Sequence, residues 1–156
     1  MNSQIQKINE LGQSVWLDSI SRGMINSGKL SSMISEGISG ITSNPAIFQK
    51  ALSSENTYDK DIKSLTNLDP NAKSIFQDLS IKDISDACKL LRTVYKKTEG
   101  KDGFVSIEID PKFANDTKKS IREGIYLHES INQPNVMIKV PGTEAGMPVI
   151  EHLIGL

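Results

Sequence analysis

The sequence has little of the material from which disulfide-stabilised and zinc-binding proteins are made. Its 156 residues include one cysteine, Cys88, and two histidines, His128 and His152. A lone cysteine cannot close an internal disulfide, which excludes a disulfide-stapled secreted fold. So few Cys and His side chains also argue against a zinc centre. Aromatic residues make up only 5% of the chain, but 37% of its residues are hydrophobic, enough for a folded core.

An excess of one charge and long apolar runs are also lacking. Eighteen Lys and Arg stand against 19 Asp and Glu, so the chain has no net field that would attract nucleic acid or anionic lipid. No apolar run approaches the 18 or so residues of a transmembrane helix, and residues 1–10 lack an apolar signal core. We therefore expect a cytoplasmic protein with neither a nucleic-acid nor a membrane partner. A chain of this length predicts one domain, residues 1–156.

Four short apolar segments have the composition of β-strands. Each is rich in Val and Ile and is bounded by Gly, Pro or Asn, which are signals of strand ends. The segments are residues 14–20, 40–44, 102–110 and 135–141.

Between these segments the apolar residues recur at helical spacing. A helix with Ser80 as its N-cap and Gly100 as its stop is predicted by an apolar stripe that runs from Ile84 to Tyr95. Residues 115–131 predict a second helix, with Ile121, Ile125 and His128 on one stripe. A short helix ending at Gly37, a helical hairpin over residues 46–79, and a last helix capped by Thr143 complete the pattern.

Strands that alternate with helices predict a parallel sheet with right-handed crossovers. Two closures fit this alternation, an open doubly wound sheet and a piece of a (β/α)₈ barrel. A whole barrel takes about 250 residues and eight strands, so four strands are half of one.

Each predicted strand carries a polar side chain near its carboxyl end, where α/β proteins build their sites. These residues are Asp18, Thr42 and Asn44, Glu108, and Lys139. A single charged residue late in a strand usually faces solvent. Lys139 differs, because Met137 and Val140 flank it in a run that we expect to be buried on both faces. A structural ion pair with Glu108 and a catalytic lysine both remain open.

The chemistry that uses a lysine within an apolar strand is imine formation with a ketone. Burial favours the neutral amine, which is the nucleophile. A nearby carboxyl group can carry protons to and from the carbinol oxygen, and a second carboxylate can accept the hydroxyl proton whose loss allows a C–C bond to break. Lys139, Glu108 and Asp18 supply these three groups.

At the same four segments the sequence resembles the transaldolase family. The matching stretches are Val-Trp-Leu-Asp at 15–18, Ile-Thr-Ser-Asn-Pro-Ala-Ile-Phe at 41–48, Asp-Gly-Phe-Val-Ser-Ile-Glu at 102–108, and Asn-Val-Met-Ile-Lys-Val-Pro-Gly-Thr at 135–143. They occur in the family's order and spacing. The resemblance implies a (β/α)₈ barrel enzyme of the pentose phosphate pathway that needs no cofactor and no metal.

The resemblance also implies a reaction and a role for each candidate residue. A dihydroxyacetone unit passes from a ketose phosphate, such as sedoheptulose 7-phosphate, to an aldose phosphate, such as glyceraldehyde 3-phosphate. Lys139 would form the Schiff base, and Glu108 would move protons through a water molecule. Asp18 would accept the proton of the donor's C4 hydroxyl, while Asn44 and Thr42 would position the donor hydroxyls or the water.

The chain departs from the family in length. It ends at Gly155-Leu156, where a fifth strand would begin, and the family's phosphate-binding arginines and serine have no counterpart. We therefore expect a truncated α/β chain, a partial (β/α)₈ barrel of about four βα units with extra helices between strands 2 and 3. Its expected partners are sugar phosphates and either a complementing C-terminal half or a second copy. A catalytically silent fragment and a smaller Schiff-base aldolase remain as alternatives.

Overall fold

A computed structural model describes residues 3–156, which form four strands, eight α-helices and three 3₁₀ turns. The strands are β1 Trp16–Leu17, β2 Gly40–Ile41, β3 Val105–Glu108 and β4 Val136–Lys139. The helices are α1 Gln4–Glu10, α2 Arg22–Asn26, α3 Lys29–Ser35, α4 Pro45–Ser54, α5 Asp59–Leu68, α6 Ala72–Lys97, α7 Thr117–Ile131 and α8 Met147–Ile154. The 3₁₀ turns are Asn56–Tyr58, Pro111–Phe113 and Glu144–Gly146.

The four strands form one parallel sheet in the order β1-β2-β3-β4. Leu17 pairs with Ile41, Ile41 with Val105, and Val105 with Val136, so these residues form one row across the sheet. The predicted strands are confirmed in number, order and direction, although each is shorter than its apolar segment.

One face of this sheet packs against helices. Buried strand residues such as Ile41, Val105 and Val136 form a single core with α6 and α7. The helix residues in this core are Ile84, Ala87, Cys88 and Leu91 of α6 and Leu127 and Ile131 of α7. Because side chains alternate along a strand, the residues between the core positions lie on the opposite face.

Helix α6 is longer than the sequence predicts. It starts at Ala72, where Asn71 caps it by accepting hydrogen bonds from the backbone N–H groups of Lys73 and Ser74. Ser80 therefore lies inside the helix, and its Oγ donates to the carbonyl of Phe76. The prediction of Ser80 as an N-cap is wrong, because a cap at Asn71 and the apolar residues that follow it extend the helix by two turns.

Helix α7 confirms the predicted element but not its buried stripe. The residues that it buries are Ser120, Gly124, Leu127 and Ile131. His128, predicted to lie on a packed stripe, is exposed. Gly124 explains why α7 turns this face, and not the predicted one, towards the protein. A Cβ at Gly124 would lie 2.8 Å from Cδ1 of Leu153. The missing side chain lets α8 approach α7 at this point.

The extra helices predicted between the second and third strands are present as α4, α5 and the first turns of α6. They bury a small core of their own around Ala51, Tyr58 and Leu79. A buried polar cluster joins this insertion to α2, since Tyr58 Oη donates to Asp83 Oδ2 (2.7 Å) and Arg22 Nε donates to Asp83 Oδ1 (2.9 Å).

None of the helices formed by residues 3–156 combines the length and the apolar character that crossing a bilayer requires.

Candidate functional site

The ammonium of Lys139 and the carboxylate of Glu108 meet at the carboxyl ends of β4 and β3. The two residues are direct partners in the β3–β4 register. Nζ of Lys139 lies 3.3 Å from Oε2 of Glu108. Side chains of paired residues in adjacent strands point to the same face, so the register alone brings the two charges together.

The same amine donates to two oxygens at the end of β2. The carbonyl of Ser43 accepts at 3.0 Å and Oγ1 of Thr42 accepts at 3.4 Å. Nζ of Lys139 therefore has three oxygen partners, which come from the ends of two neighbouring strands. This arrangement fixes the position of the amine from two sides.

Two serines support these partners, and neither was among the predicted site residues. Ser106 Oγ donates to Thr42 Oγ1 at 3.1 Å, and Ser43 Oγ donates to the carbonyl of Ser106 at 2.7 Å. Both serines are buried. A signal for Ser106 exists in the sequence, since it lies two residues before Glu108 and so shares its face of β3. Ser43 points into the core side, where alternation gives no polar signal.

Asn44 follows β2 and caps helix α4. Its Oδ1 accepts a hydrogen bond from the backbone N–H of Ile47 at 3.0 Å, and Pro45 occupies the first helical position. This is the local pattern that starts a helix, Asn at the cap and Pro after it. The cap uses the carbonyl oxygen of the side chain, which leaves the Nδ2 donors to a ligand.

Asp18, like Asn44, forms no hydrogen bond or ion pair with Lys139, Glu108 or Thr42. It directly follows β1, and because Leu17 aligns with Ile41 and Val105, Asp18 falls in the row of Thr42 and Ser106. Its side chain is exposed, and its carboxylate forms no hydrogen bond or ion pair within residues 3–156.

The polar face is open to solvent. Lys139 has 40% of its side chain exposed and Met137 is 41% exposed, whereas Glu108 has 24% of its side chain exposed. The expectation that the β4 run is buried on both faces is therefore wrong. The physical reason is that the helices of residues 3–156 pack against the other face only.

Trp16 lies across the start of β2 on this same face. A Cβ built on Gly40 would be 2.2 Å from Cε2 of Trp16, a distance that no side chain could tolerate. Glycine at position 40 therefore allows the indole to rest on the β2 backbone, beside the row that holds Thr42.

The ion pair between Lys139 and Glu108 adds little to stability, because a partly exposed pair of this kind contributes about 0.2–1 kcal/mol. A structural pair and a reactive amine are compatible at such a position. Within residues 3–156 there is also no group of three or more His, Cys, Asp or Glu side chains placed to hold a metal ion.

Comparison with known proteins places the chain among enzymes of one family. Residues 15–155 match the family model described as transaldolase/fructose-6-phosphate aldolase. The chain is 44% identical over 155 residues to a protein named transaldolase from Trichodesmium erythraeum. It is 44% identical over 153 residues to transaldolase 2 from Nostoc sp., and 37% identical over 150 residues to a transaldolase from Neisseria gonorrhoeae.

These alignments cover nearly all of this chain but less than half of each relative. They include 99%, 97% and 96% of the chain and 41%, 40% and 43% of the three relatives, respectively. The chain thus spans about two fifths of the length of the curated relatives it matches. Its four parallel βα units are part of a (β/α)₈ barrel, as the sequence predicts, and the chain belongs to the transaldolase/fructose-6-phosphate aldolase family.

Proposed function

We propose that this chain carries the imine-forming half of a transaldolase site. Lys139 forms a Schiff base with a ketose phosphate, and a dihydroxyacetone unit is then transferred to an aldose phosphate. The setting is the pentose phosphate pathway of the cytoplasm. The observation that carries this proposal is the cluster of Glu108, Thr42 and Ser43 around the Lys139 amine, at the carboxyl ends of parallel strands.

The proposed reaction starts with the neutral amine. Nζ of Lys139 adds to the C2 carbonyl of the ketose, and the carbonyl oxygen takes a proton to give a carbinolamine. Glu108, 3.3 Å from the amine, protonates the leaving hydroxyl through a water molecule, and loss of water leaves a protonated imine.

Cleavage then uses Asp18. Its carboxylate accepts the C4 hydroxyl proton, the C3–C4 bond breaks, and the bonding electrons move into the imine to give an enamine while the aldose leaves. Attack of the enamine on the carbonyl of an acceptor aldose reverses these steps. Asn44, through its Nδ2 donors, and Thr42 hold the donor hydroxyls or the water.

Full transaldolase activity on this proposal requires groups from outside the chain. The polar face that holds Lys139 is uncovered by the helices of residues 3–156, and both β1 and β4 present an edge without a neighbouring strand in this part of the chain. A complementing C-terminal half, or a second copy, would cover the face and supply the groups that grip the phosphate. Without either partner, we expect imine formation at Lys139 to lose less activity than transfer of the dihydroxyacetone unit.

Trapping with sodium borohydride tests the proposal. The chain is incubated with dihydroxyacetone or fructose 6-phosphate and reduced, and the intact mass is measured. The proposal predicts one reduced adduct per chain, which is the dihydroxyacetone unit or, where fructose 6-phosphate is trapped before the C3–C4 bond breaks, the whole sugar phosphate. If a chain that circular dichroism shows to be folded gives no adduct with either compound, the proposal fails and the catalytically silent alternative stands.

Product analysis separates the two remaining functions. Transfer of the three-carbon unit to glyceraldehyde 3-phosphate supports a transaldolase, whereas release of free dihydroxyacetone supports a smaller Schiff-base aldolase. The family's own description includes both kinds of enzyme. An Asp18→Asn variant should still form the adduct but cleave the C–C bond more slowly, and loss of the adduct would contradict the role proposed for Asp18.

A further inference from the structure

A recess lies between the sheet and its helices, and Lys139 is not among its lining residues. It is bounded by the carboxyl ends of β2 and β3 and by helices α4, α6 and α7, and its volume is about 360 Å³. Its apolar lining consists of Pro45, Phe48, Phe76, Ile107, Pro111 and Leu127. Pockets that take small organic molecules are commonly about 300–1,000 Å³ and mainly apolar.

Several of the polar side chains around this recess are engaged with other partners. Ser80 Oγ donates to the carbonyl of Phe76, and Ser43 Oγ donates to the carbonyl of Ser106. Lys73 pairs with Asp110 at 2.8 Å. The surface that the recess presents to a ligand is therefore mainly apolar.

Glu123 is one of the acidic residues that line the recess. Burial raises the pKa of its carboxyl group, although the facing backbone N–H of Asp110 and the charge of Lys73 lower it. Its Oε2 is buried without a hydrogen-bond partner, and Oε1 has a long contact of 3.5 Å with Gln77 Nε2. The buried carboxyl oxygen of Glu123 disfavours an anionic ligand, and a mainly apolar wall cannot replace the water that a charged group would lose on binding.

The aromatic rings of the wall indicate the shape of a ligand. Phe48 and Phe76 meet edge to face, with ring centroids 6.2 Å apart and planes inclined by 83°. An aromatic ligand can add to such a pair in the same geometry. For scale, an engineered apolar cavity of about 150 Å³ binds benzene.

We propose that this recess is a binding site for a small uncharged aromatic molecule of one or two rings. Glu108 and Asn44 are among its lining residues, so a bound molecule would lie next to two of the candidate site residues. The proposal is independent of the enzymatic function, because it concerns the packing between the sheet and its helices and requires no reaction at Lys139.

Titration with indole, followed by ¹H–¹⁵N NMR of the folded chain, tests the site. Indole should produce saturable shifts of the amides of Phe48, Ser80, Ile107 and Leu127. Indole-3-carboxylate, which has the same rings and a negative charge, should bind at least tenfold more weakly. Shifts that never saturate, or that fall on the Lys139 face instead, would overturn the proposal, as would equal affinity for the charged compound.

Two tryptophan substitutions provide the matched control. Gln77→Trp places a large side chain in the recess, and Gln49→Trp places one on the exposed side of α4 outside it. We expect at least a tenfold loss of indole affinity in the first variant and no change in the second. If Gln77→Trp does not fold, Ser80→Leu fills the recess from the same helix. Unchanged indole binding in a folded, filled variant contradicts the proposal.

Discussion

Glu108 and Lys139 face each other across the β3–β4 ladder, with 3.3 Å between Oε2 and Nζ. Their register is set by the core positions before them, because Val105 pairs with Val136 and Ile107 with Ile138 on the helix-covered face. A slip of one residue would turn every β4 side chain to the opposite face. The apolar core therefore determines the geometry of the polar cluster.

Substitution of Glu108 by Gln tests the proton-transfer role. The amide keeps the size of the side chain but cannot exchange a proton, so we expect adduct formation at Lys139 to slow by about 100-fold or more. The change in stability should stay below about 1 kcal/mol, since the ion pair is partly exposed. The rate of borohydride-trapped mass gain measures the first effect and urea unfolding the second.

Asp110→Asn is the matched control for this variant. Asp110 lies two residues further along the chain but pairs with Lys73 instead of Lys139. Its substitution should leave the trapping rate within about twofold of the original protein. An equal loss of rate in both variants would indicate a general loss of negative charge rather than proton transfer by Glu108.

Substitution of Thr42 by Val tests whether the β2 end positions the amine. Valine has nearly the same shape as threonine but removes the oxygen that accepts from Lys139 and from Ser106. We expect slower trapping, with a fold that is retained, and crystal or NMR data showing a more variable Lys139 side chain. The control is Thr66→Val, on the exposed surface of α5, where trapping should not change.

Two glycines before β3 differ in a way that predicts different stabilities. Gly103 and Gly100 both have positive φ angles, +86° and +77°. A Cβ at Gly103 would lie 2.3 Å from the backbone N of Tyr95, whereas one at Gly100 would be no closer than 3.4 Å to the Tyr95 ring. Alanine at 100 should cost about 1–2 kcal/mol of unfolding free energy from backbone strain alone.

Alanine at Gly103 should cost clearly more than alanine at Gly100, because helix α6 must move away from the start of β3. Parallel urea titrations measure both values on the same scale. Equal destabilisation by the two substitutions would show that the close approach of Gly103 to Tyr95 is not a constraint on the fold.

Cys88 gives stability a specific dependence on alkaline pH. Burial in the core raises the pKa of its thiol to about 12, while a thiol in an unfolded chain has a pKa of about 8.5. The folded state therefore holds the proton after the unfolded state has lost it, so this group favours unfolding increasingly as the pH rises. Between about pH 9 and pH 11, the contribution of Cys88 to the free energy of unfolding should fall by up to about 1.4 kcal/mol per pH unit.

A Cys88→Ala variant isolates this effect. Its unfolding free energy should decline less steeply over the same pH range, even if its absolute stability is lower because of the smaller side chain. Parallel slopes for the two proteins would mean that the thiol is more accessible to water than its place in the core indicates.

The sheet was predictable because short apolar segments with distinct ends mark its strands. The start of α6 was not, since Asn71 and Ser80 are both acceptable caps and only packing of the preceding turns selects the first. The buried stripe of α7 was also missed. Its orientation depends on the close approach of Leu153 to Gly124, a contact between distant residues that periodicity within one helix does not contain.

The part of the candidate site that could be predicted from the sequence is the part set by the alternation of side chains between the two faces of each strand. Lys139, Glu108 and Thr42 share a face and meet as expected, with Asn44 at the adjacent helix start. The exposure of that face does not follow from alternation along β4, but an uncovered inner face is what four strands of an open half barrel predict. Ser43 was missed for a related reason, as its role is to bond the β3 backbone from the core side.

The most direct test of the central claim is the location of the trapped adduct. After reduction with borohydride in the presence of fructose 6-phosphate, the chain is digested and its peptides are sequenced by mass spectrometry. We predict one modified lysine, Lys139, and no adduct in a folded Lys139→Met variant, whose unfolding free energy should change by less than about 1 kcal/mol. Modification spread over several surface lysines, or an adduct that persists in the variant, would contradict the assignment of Lys139 as the imine-forming residue.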